Sequence, residues 1–204
     1  MPEDPLPPLD PATVDPEPMA QFARWYDAAV VATGDRAAAM TVATATPDGL
    51  PSARVVLLRG FDARGLVFFT NYDSRKGGEL AANAAAAAVL YWNELDAQIR
   101  IEGRVERVSA EESDAYFAQR PRGHRIGAWA SHQSAPVADR ATLEAQVEAA
   151  EAQYPGDVPR PPHWGGYRII PETVEFWRNR ADRVHDRVEY AWRADAWRIR
   201  RLSP

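Results

Sequence analysis

Apolar positions along the chain follow two rhythms, and the change from one to the other marks out the elements. Phe22, Trp25, Tyr26, Ala29 and Val30 recur at helical spacing and predict one stripe suited to core packing. Residues 38–45 then read as a short strand, with Pro47-Asp48-Gly49 as the turn that leaves it. Val55-Val56-Leu57-Leu58 is an unbroken β-prone run, which predicts a buried strand. Asp62-Ala63-Arg64-Gly65 has turn chemistry, with Asp to open the turn and Gly to accept φ > 0. Residues 66–70 are the return strand, so this pair is expected to form a hairpin. Residues 85–92 predict a strand of small residues, whose alanines suggest close packing against another sheet or chain. In 98–108, Ile99, Ile101, Val105 and Val108 are set between charged residues, and Gly103 marks a bulge or a close backbone approach. Strands at 167–170 and 173–177, and a final hairpin over 184–192 and 196–202, complete the β pattern.

Helical signals are fewer. Ser109-Ala110-Glu111-Glu112 is a capping-box opening to a helix through Gln119, stopped at Arg120-Pro121. Residues 140–154, rich in Ala and Glu, predict a surface helix, and 155–162 a stiff proline linker. The run RPRGHRIGAWASHQS over 120–134 has no clean period and reads as a loop of the kind that carries function. Residues 1–18, rich in Pro, Asp and Glu, read as a flexible lead-in without a fold, leaving 19–204 as a single domain. Hairpins with helices inserted and appended predict a mainly β fold with peripheral helices (α+β), built as a β-barrel. An alternating βαβ pattern and a GxGxxG turn are both missing, which argues against a dinucleotide-binding Rossmann site.

Composition narrows the function classes. The 204 residues are enough for a substantial core. A net charge of −5 argues against a general nucleic-acid binder, which needs a basic surface. No run approaches the ~20 apolar residues of a membrane helix, no signal-peptide pattern opens the chain, and the cytoplasm is the expected location. With no cysteine there is no disulfide, thiolate metal site or Cys nucleophile. The four histidines show no metal-ligand spacing, so no metal is expected.

Two stretches carry chemistry. Asp73-Ser74 supplies an N-cap before Arg75-Lys76-Gly77-Gly78, and cations in the first turn of a helix make a seat for an anion such as a phosphate monoester. Lys76 is the only lysine in a chain that otherwise uses arginine. A solvated basic turn is the other reading of these residues. Near the C-terminus, Glu175-Phe176-Trp177 precedes Arg183-Val184-His185-Asp186-Arg187. In a strand, Arg183, His185 and Arg187 would share one face, either as an anion surface or as a solvated arginine face.

The blocks RVVLLRGFD, FFTNYDSRKGGEL, QIRIEGRVERVSAEESDAYFAQRP, IGAWASHQS, VPRPPHWGGYRIIPETVEFW and RVHDRVEY, in this order, resemble the pyridoxine (pyridoxamine) 5′-phosphate oxidase family over residues 20–204. The resemblance implies a split β-barrel homodimer with FMN at the subunit interface. The implied reaction takes pyridoxine or pyridoxamine 5′-phosphate to pyridoxal 5′-phosphate, with O2 as acceptor and peroxide as by-product. Carried over by position, the FMN contacts are Arg54, Val55, Val56, Leu57, Phe69, Thr70, Arg75, Lys76, Gln98, Gln133, Ser134, Trp177 and Arg187. The substrate phosphate would meet Arg59, Tyr116, Arg120 and His124, while Arg183 and His185 would border the pyridine ring and orient the reacting carbon. The chain departs from the family pattern at Arg59 (usually Lys), Phe69 (Tyr), Ala97 (Arg) and His124 (Ser). Two other readings stay open: a flavin oxidase of this fold acting on another substrate, such as a reduced phenazine-like ring, and a non-enzymatic binder of FMN or pyridoxal phosphate.

Overall fold

A computed structural model describes Leu6 and residues 9–204. The elements run α1 (Pro18–Thr33), β1 (Ala39–Ala45), β2 (Pro51–Leu57), β3 (Gly60–Asp62), β4 (Gly65–Asn71), α2 (Arg75–Ala82), β5 (Ala85–Trp92), β6 (Ala97–Arg107), α3 (Ala110–Gln119), α4 (Arg122–Ala130), α5 (Arg140–Gln153), β7 (Trp164–Arg178), β8 (Asp186–Arg193) and β9 (Ala196–Arg201). The strands form one antiparallel sheet in the order β2-β1-β5-β6-β7-β4-β3, with β8 on β7 and β9 on β8. The sheet curls into a split barrel with the five helices around it. Alternate residues of β1, β5 and β6 point inward, so Met40, Val42, Ala88, Leu90, Ile99 and Ile101 fill the core. Helix α1 closes it: the Trp25 ring meets Phe176 edge-on at 5.1 Å and Phe22 meets Phe61 at 5.0 Å. Full burial of a side chain such as Phe22 contributes about 1.5–3 kcal/mol. Val30, expected on the same stripe, instead faces solvent, because the stripe is narrower than five positions.

Strand β7 is the axis of the molecule. One of its edges pairs with β6 along nearly its whole length; the other pairs with β4 over its first half and with β8 over its second. The two strands expected at 167–170 and 173–177 are therefore one. Pro171, in the gap between them, sits where the pairing passes from β4 to β8, and Glu172 is skipped in the register with β6. A proline is tolerated at such a bulge because its missing N–H leaves no rung unmade. Opposite stands Gly103, where an added Cβ would lie 1.9 Å from the Ile170 carbonyl oxygen. Both features read from Gly103, bulge and close approach, are present.

The expected hairpin of Val55–Leu58 with 66–70 is corrected. Strand β2 pairs with β1, and it is the short β3 that makes the hairpin with β4 across the Asp62–Gly65 turn. The chain changes partner between two residues: Leu58 N donates to Ala38 O at 2.8 Å, and Arg59 N donates to Val67 O at 2.8 Å. Nor is β2 buried within the chain, since Val55 is 66 % exposed and Leu57 42 %. Its pairing with β1 leaves it at the edge of the sheet with one side uncovered.

Two irregular readings also become structure. Most of 120–134, expected as a loop, is α4, whose Ile126 and Ala130 are buried one turn apart against α5. Two glycines and scattered charges hide that period. Within the lead-in expected to lack a fold, Leu6 and Leu9 are buried in the main core, Tyr190 donates to Asp15 O at 2.7 Å, and Arg201 donates to Leu9 O at 3.1 Å. Residues 1–5 and 7–8 of that stretch lie outside the described residues. No helix among the described residues is long and apolar enough to cross a membrane.

Candidate active site

Strand β4 delivers its C-terminal end into a tight turn that starts α2. Ser74 caps the helix, accepting from Gly77 N at 3.3 Å while its own hydroxyl donates to Asn71 O at 2.7 Å. Of the Asp73-Ser74 pair, Ser74 is thus the cap. The cap fixes Arg75 and Lys76 in the first turn. Lys76 is 8 % exposed, and its ammonium donates to Gln133 Oε1 (2.6 Å), Thr70 Oγ1 (3.0 Å) and Ser74 Oγ (3.2 Å), all uncharged. Burial, and then the neighbouring Arg54 guanidinium, lower its pKa to about 8. Gln133 and Ser134 come from the segment after α4; Ser134, held at φ 74°, accepts from Arg75 N at 3.2 Å. A non-glycine residue in that left-handed region costs on the order of 1–3 kcal/mol and persists where the surroundings demand it.

From this corner opens a cavity of about 530 Å³, within the ~300–1,000 Å³ range of small-molecule and cofactor sites. Arg54, Val55, Val56, Leu57, Arg59, Phe69, Thr70, Lys76, Tyr116, Arg120, His124 and Gln133, all predicted from the sequence, line it together. Trp164 does so too, and sequence reasoning passed over it as the lead into a strand; its place in an aromatic-Gly-Gly run was the available signal. Phe69, Tyr116 and Trp164 form a parallel stack, with centroids 4.0 Å apart for Phe69–Tyr116 and 5.5 Å for Phe69–Trp164. The Arg120 guanidinium lies 4.6 Å over the Trp164 ring. Its Nη1 is buried and has no hydrogen-bond partner among the described residues. Burial lowers the Arg120 pKa and Arg59 adds to this, against the opposite pull of Tyr116. Arg75 and Ser134 line the adjoining space on the other side of Gln133.

The remaining predicted residues lie elsewhere. Gln98, Trp177 and Arg187 stand in one row across β6, β7 and β8. The His185 ring is 4.8 Å from Trp177, and Arg187 Nε donates to the buried Glu175 at 2.7 Å. The expectation that Arg183, His185 and Arg187 share a strand face is corrected. Strand β8 begins at Asp186, and Arg183 lies in a single 3₁₀ turn with φ 59°, next to Asp182 at φ 57°. Two successive left-handed residues cannot continue a strand. Asp186 is tied to Arg180 and Arg201 at 2.7 Å each, which pins the start of β8 just after this turn. Trp164 of the first cluster and Trp177 of the second are the two ends of β7. At ~3.3 Å per residue, that is roughly 40 Å of extended chain. One chain therefore holds the two clusters apart.

The first cluster suits a flavin phosphate. Among the described residues, a buried ammonium whose own hydrogen bonds go only to neutral oxygens, flanked by two guanidiniums at a helix start, has no directly bonded counter-charge, which an anion would supply. Among solved structures, the fold matches PhzG from Burkholderia lata in complex with tetrahydrophenazine-1-carboxylic acid, with TM-score 0.90, 36% identity, and coverage of 95% of this chain and 96% of that one. It also matches a pyridoxamine 5′-phosphate oxidase-related, FMN binding protein from Nostoc punctiforme, with TM-score 0.73 over 92% of this chain and 98% of that one, a likeness of fold at 17% identity. Fold and site together define an FMN-dependent oxidoreductase of the split-barrel class. Residues 26–154 match the family described as pyridoxamine 5′-phosphate oxidase, and residues 164–204 the pyridoxine 5′-phosphate oxidase C-terminal dimerisation region. Proteins named pyridoxine/pyridoxamine 5′-phosphate oxidase from Burkholderia lata and Burkholderia multivorans are each 57% identical over 199 residues, covering 96% of this chain and 93% of theirs. The chain belongs to the pyridoxamine 5′-phosphate oxidase family.

Proposed function

We propose that this protein oxidises pyridoxine or pyridoxamine 5′-phosphate to pyridoxal 5′-phosphate with O2, as a homodimer whose two sites each draw on both copies. The observation that carries the reading is a second anion seat in the cavity that holds Lys76. Arg120 offers there an Nη1 unpartnered among the described residues, with Arg59, Tyr116 and His124 on the same lining. Two guanidiniums and a histidine match a phosphate monoester, which carries close to two negative charges at neutral pH. Bound FMN supplies the two-electron oxidation and the return of those electrons to O2. Lys76, Arg75, Thr70 and Gln133 hold the cofactor, and the aromatic wall of Phe69, Tyr116 and Trp164 excludes water from one side. Arg183 and His185 of a second copy would complete the site by orienting the substrate carbon and accepting the proton that its hydroxyl or amino group gives up. The exposed apolar residues of β2 and the matched dimerisation region support such a pairing.

The likeness to PhzG favours a second reading, oxidation of a reduced phenazine-like ring. Turnover under air decides between the two. Pyridoxal 5′-phosphate formation that depends on the substrate phosphate is expected. His124→Ser with Arg59→Lys should raise the rate severalfold, since a ~1 Å misplacement of the phosphate costs on the order of a hundredfold. Absence of turnover in both proteins with FMN bound would leave the phenazine reading.

The lowered pKa of Lys76 makes a separate prediction. A buried ammonium disfavours folding below pH 8, and the penalty lifts as pH rises from about 8 toward the unfolded value of 10.5. An anion at Nζ reverses the balance, so FMN binding should take up protons near pH 8.5 and weaken above it. Calorimetry in two buffers of different ionisation enthalpy measures the uptake, and Lys76→Ala should abolish it. The same substitution should weaken FMN binding by about tenfold or more, the loss of a charge-assisted bond of ~1.5–3 kcal/mol. Binding without proton uptake would remove Lys76 from the phosphate.

A further inference from the structure

Behind the cation cradle stands a buried carboxylate that neither the carried-over contacts nor the cavity lining includes. Glu79 lies one turn beyond Arg75 on α2 and is 6 % exposed. Its Oε1 accepts from Arg75 Nε at 2.9 Å. Its Oε2 accepts from Ser52 Oγ at 2.6 Å, from Arg54 Nη2 at 3.3 Å and from the Thr44 hydroxyl. The donors come from β1, β2 and α2, and two of them are guanidiniums assigned to the flavin. Burial works to raise this carboxyl, but bonds from Ser52, Thr44 and Arg75 outweigh it and hold the pKa at about 2. Glu79 is an anion throughout the neutral range.

The geometry points to Glu79 as a positioning residue of the flavin site, a fixed anion that sets the guanidiniums of Arg54 and Arg75 before the cofactor arrives. Arg54 has five donors. Nη1 serves Val42 O at 3.2 Å and Thr44 Oγ1 at 2.6 Å, while Nη2 serves Glu79 and the Ser52 hydroxyl. Only Nε–H is left for a ligand, from a group that no longer turns. Arg75 spends Nε on Glu79 and keeps both Nη groups. Ordering two long side chains in advance removes their entropy cost from the binding step. Charge points the same way. Arg54, Arg75 and Lys76 bring three positive charges, Glu79 cancels one, and the two that remain match a phosphate dianion.

The inference rests on Arg54 and Arg75 being flavin contacts, and a double-mutant cycle keeps the two claims apart. FMN affinity of the apoprotein is measured by quenching of flavin fluorescence, with the apoprotein's thermal midpoint as a check on folding. Glu79→Gln should weaken FMN binding about tenfold. In an Arg54→Gln/Arg75→Gln background it should change affinity less than about twofold, because its targets are gone. An equal loss in both backgrounds would show Glu79 acting through the fold and overturn the inference, as would no loss in either. If the arginine substitutions alone leave FMN affinity unchanged, the assignment of these contacts fails first and the inference with it. Should Glu79→Gln not fold, Ser52→Ala removes one donor to the carboxylate, keeps all the charges, and enters the same cycle with a smaller expected loss of about threefold.

Discussion

Arg120→Ala is expected to cost about a hundredfold in kcat/KM for pyridoxine 5′-phosphate, most of it in KM. The guanidinium lies 4.6 Å over the Trp164 ring with Nη1 buried and unpartnered among the described residues, so a charge-assisted bond to an incoming phosphate forms without breaking another. Such a bond contributes about 1.5–3 kcal/mol, which is roughly ten- to 150-fold in affinity. Loss of the stack on Trp164 adds to this. Arg120→Lys should recover only part of the loss, since an ammonium keeps the charge but neither the fork nor the flat face. The control is the unphosphorylated substrate, poor for both proteins and little changed by the substitution. An equal loss on both substrates would mean that Arg120 supports the aromatic wall and does not bind the phosphate.

The second large effect concerns assembly. One variant carries Lys76→Ala with Arg120→Ala, and another carries Arg183→Ala with His185→Ala; each alone should be nearly inactive. Co-expressed with different tags and purified through both, they should regain activity. Random pairing of two copies makes half the dimers mixed, each with one intact site of two, so an unselected mixture should reach roughly a quarter of the wild-type rate. The basis is the strand β7, which carries Trp164 at one end and Trp177 at the other. If both clusters served a single chain, mixing would restore nothing. A recovery of that size would establish that the site spans two copies.

Much of the local architecture was legible because its signals are short-range. The Ser109 cap accepts from Glu112 N at 3.1 Å as the capping-box pattern requires, and Asp62 and Gly65 turn the chain where their chemistry says. Strand boundaries at β1, β5 and β9 fell within a residue of their apolar runs. Where the reading failed, a residue's local signal was outweighed by a distant partner. Val55 and Leu57 look like core by type, yet β2 ends on the sheet edge, because β1 captures it through the 46–50 turn. Pro171 falls in the gap between two expected strands, yet the handover from β4 to β8 absorbs it. In α4 the helical period is carried by only two buried positions, too few to register.

What the sequence by itself determined is the set of parts: caps, turns, the Gly103 bulge, the lone lysine in its helix start, and the ordered blocks that belong to the pyridoxamine 5′-phosphate oxidase family. These depend on backbone dihedrals and residue types a few positions apart, which are written locally. Only the tertiary structure decided which parts meet. It gathered twelve predicted residues around one cavity and set Gln98, Trp177, Arg183, His185 and Arg187 near the far end of β7. It also left Arg120 Nη1 without a partner among the described residues and put Glu79 behind the cradle. Each of these is a contact between residues dozens of positions apart, fixed by strand pairing and by the curl of the sheet, for which no local pattern exists.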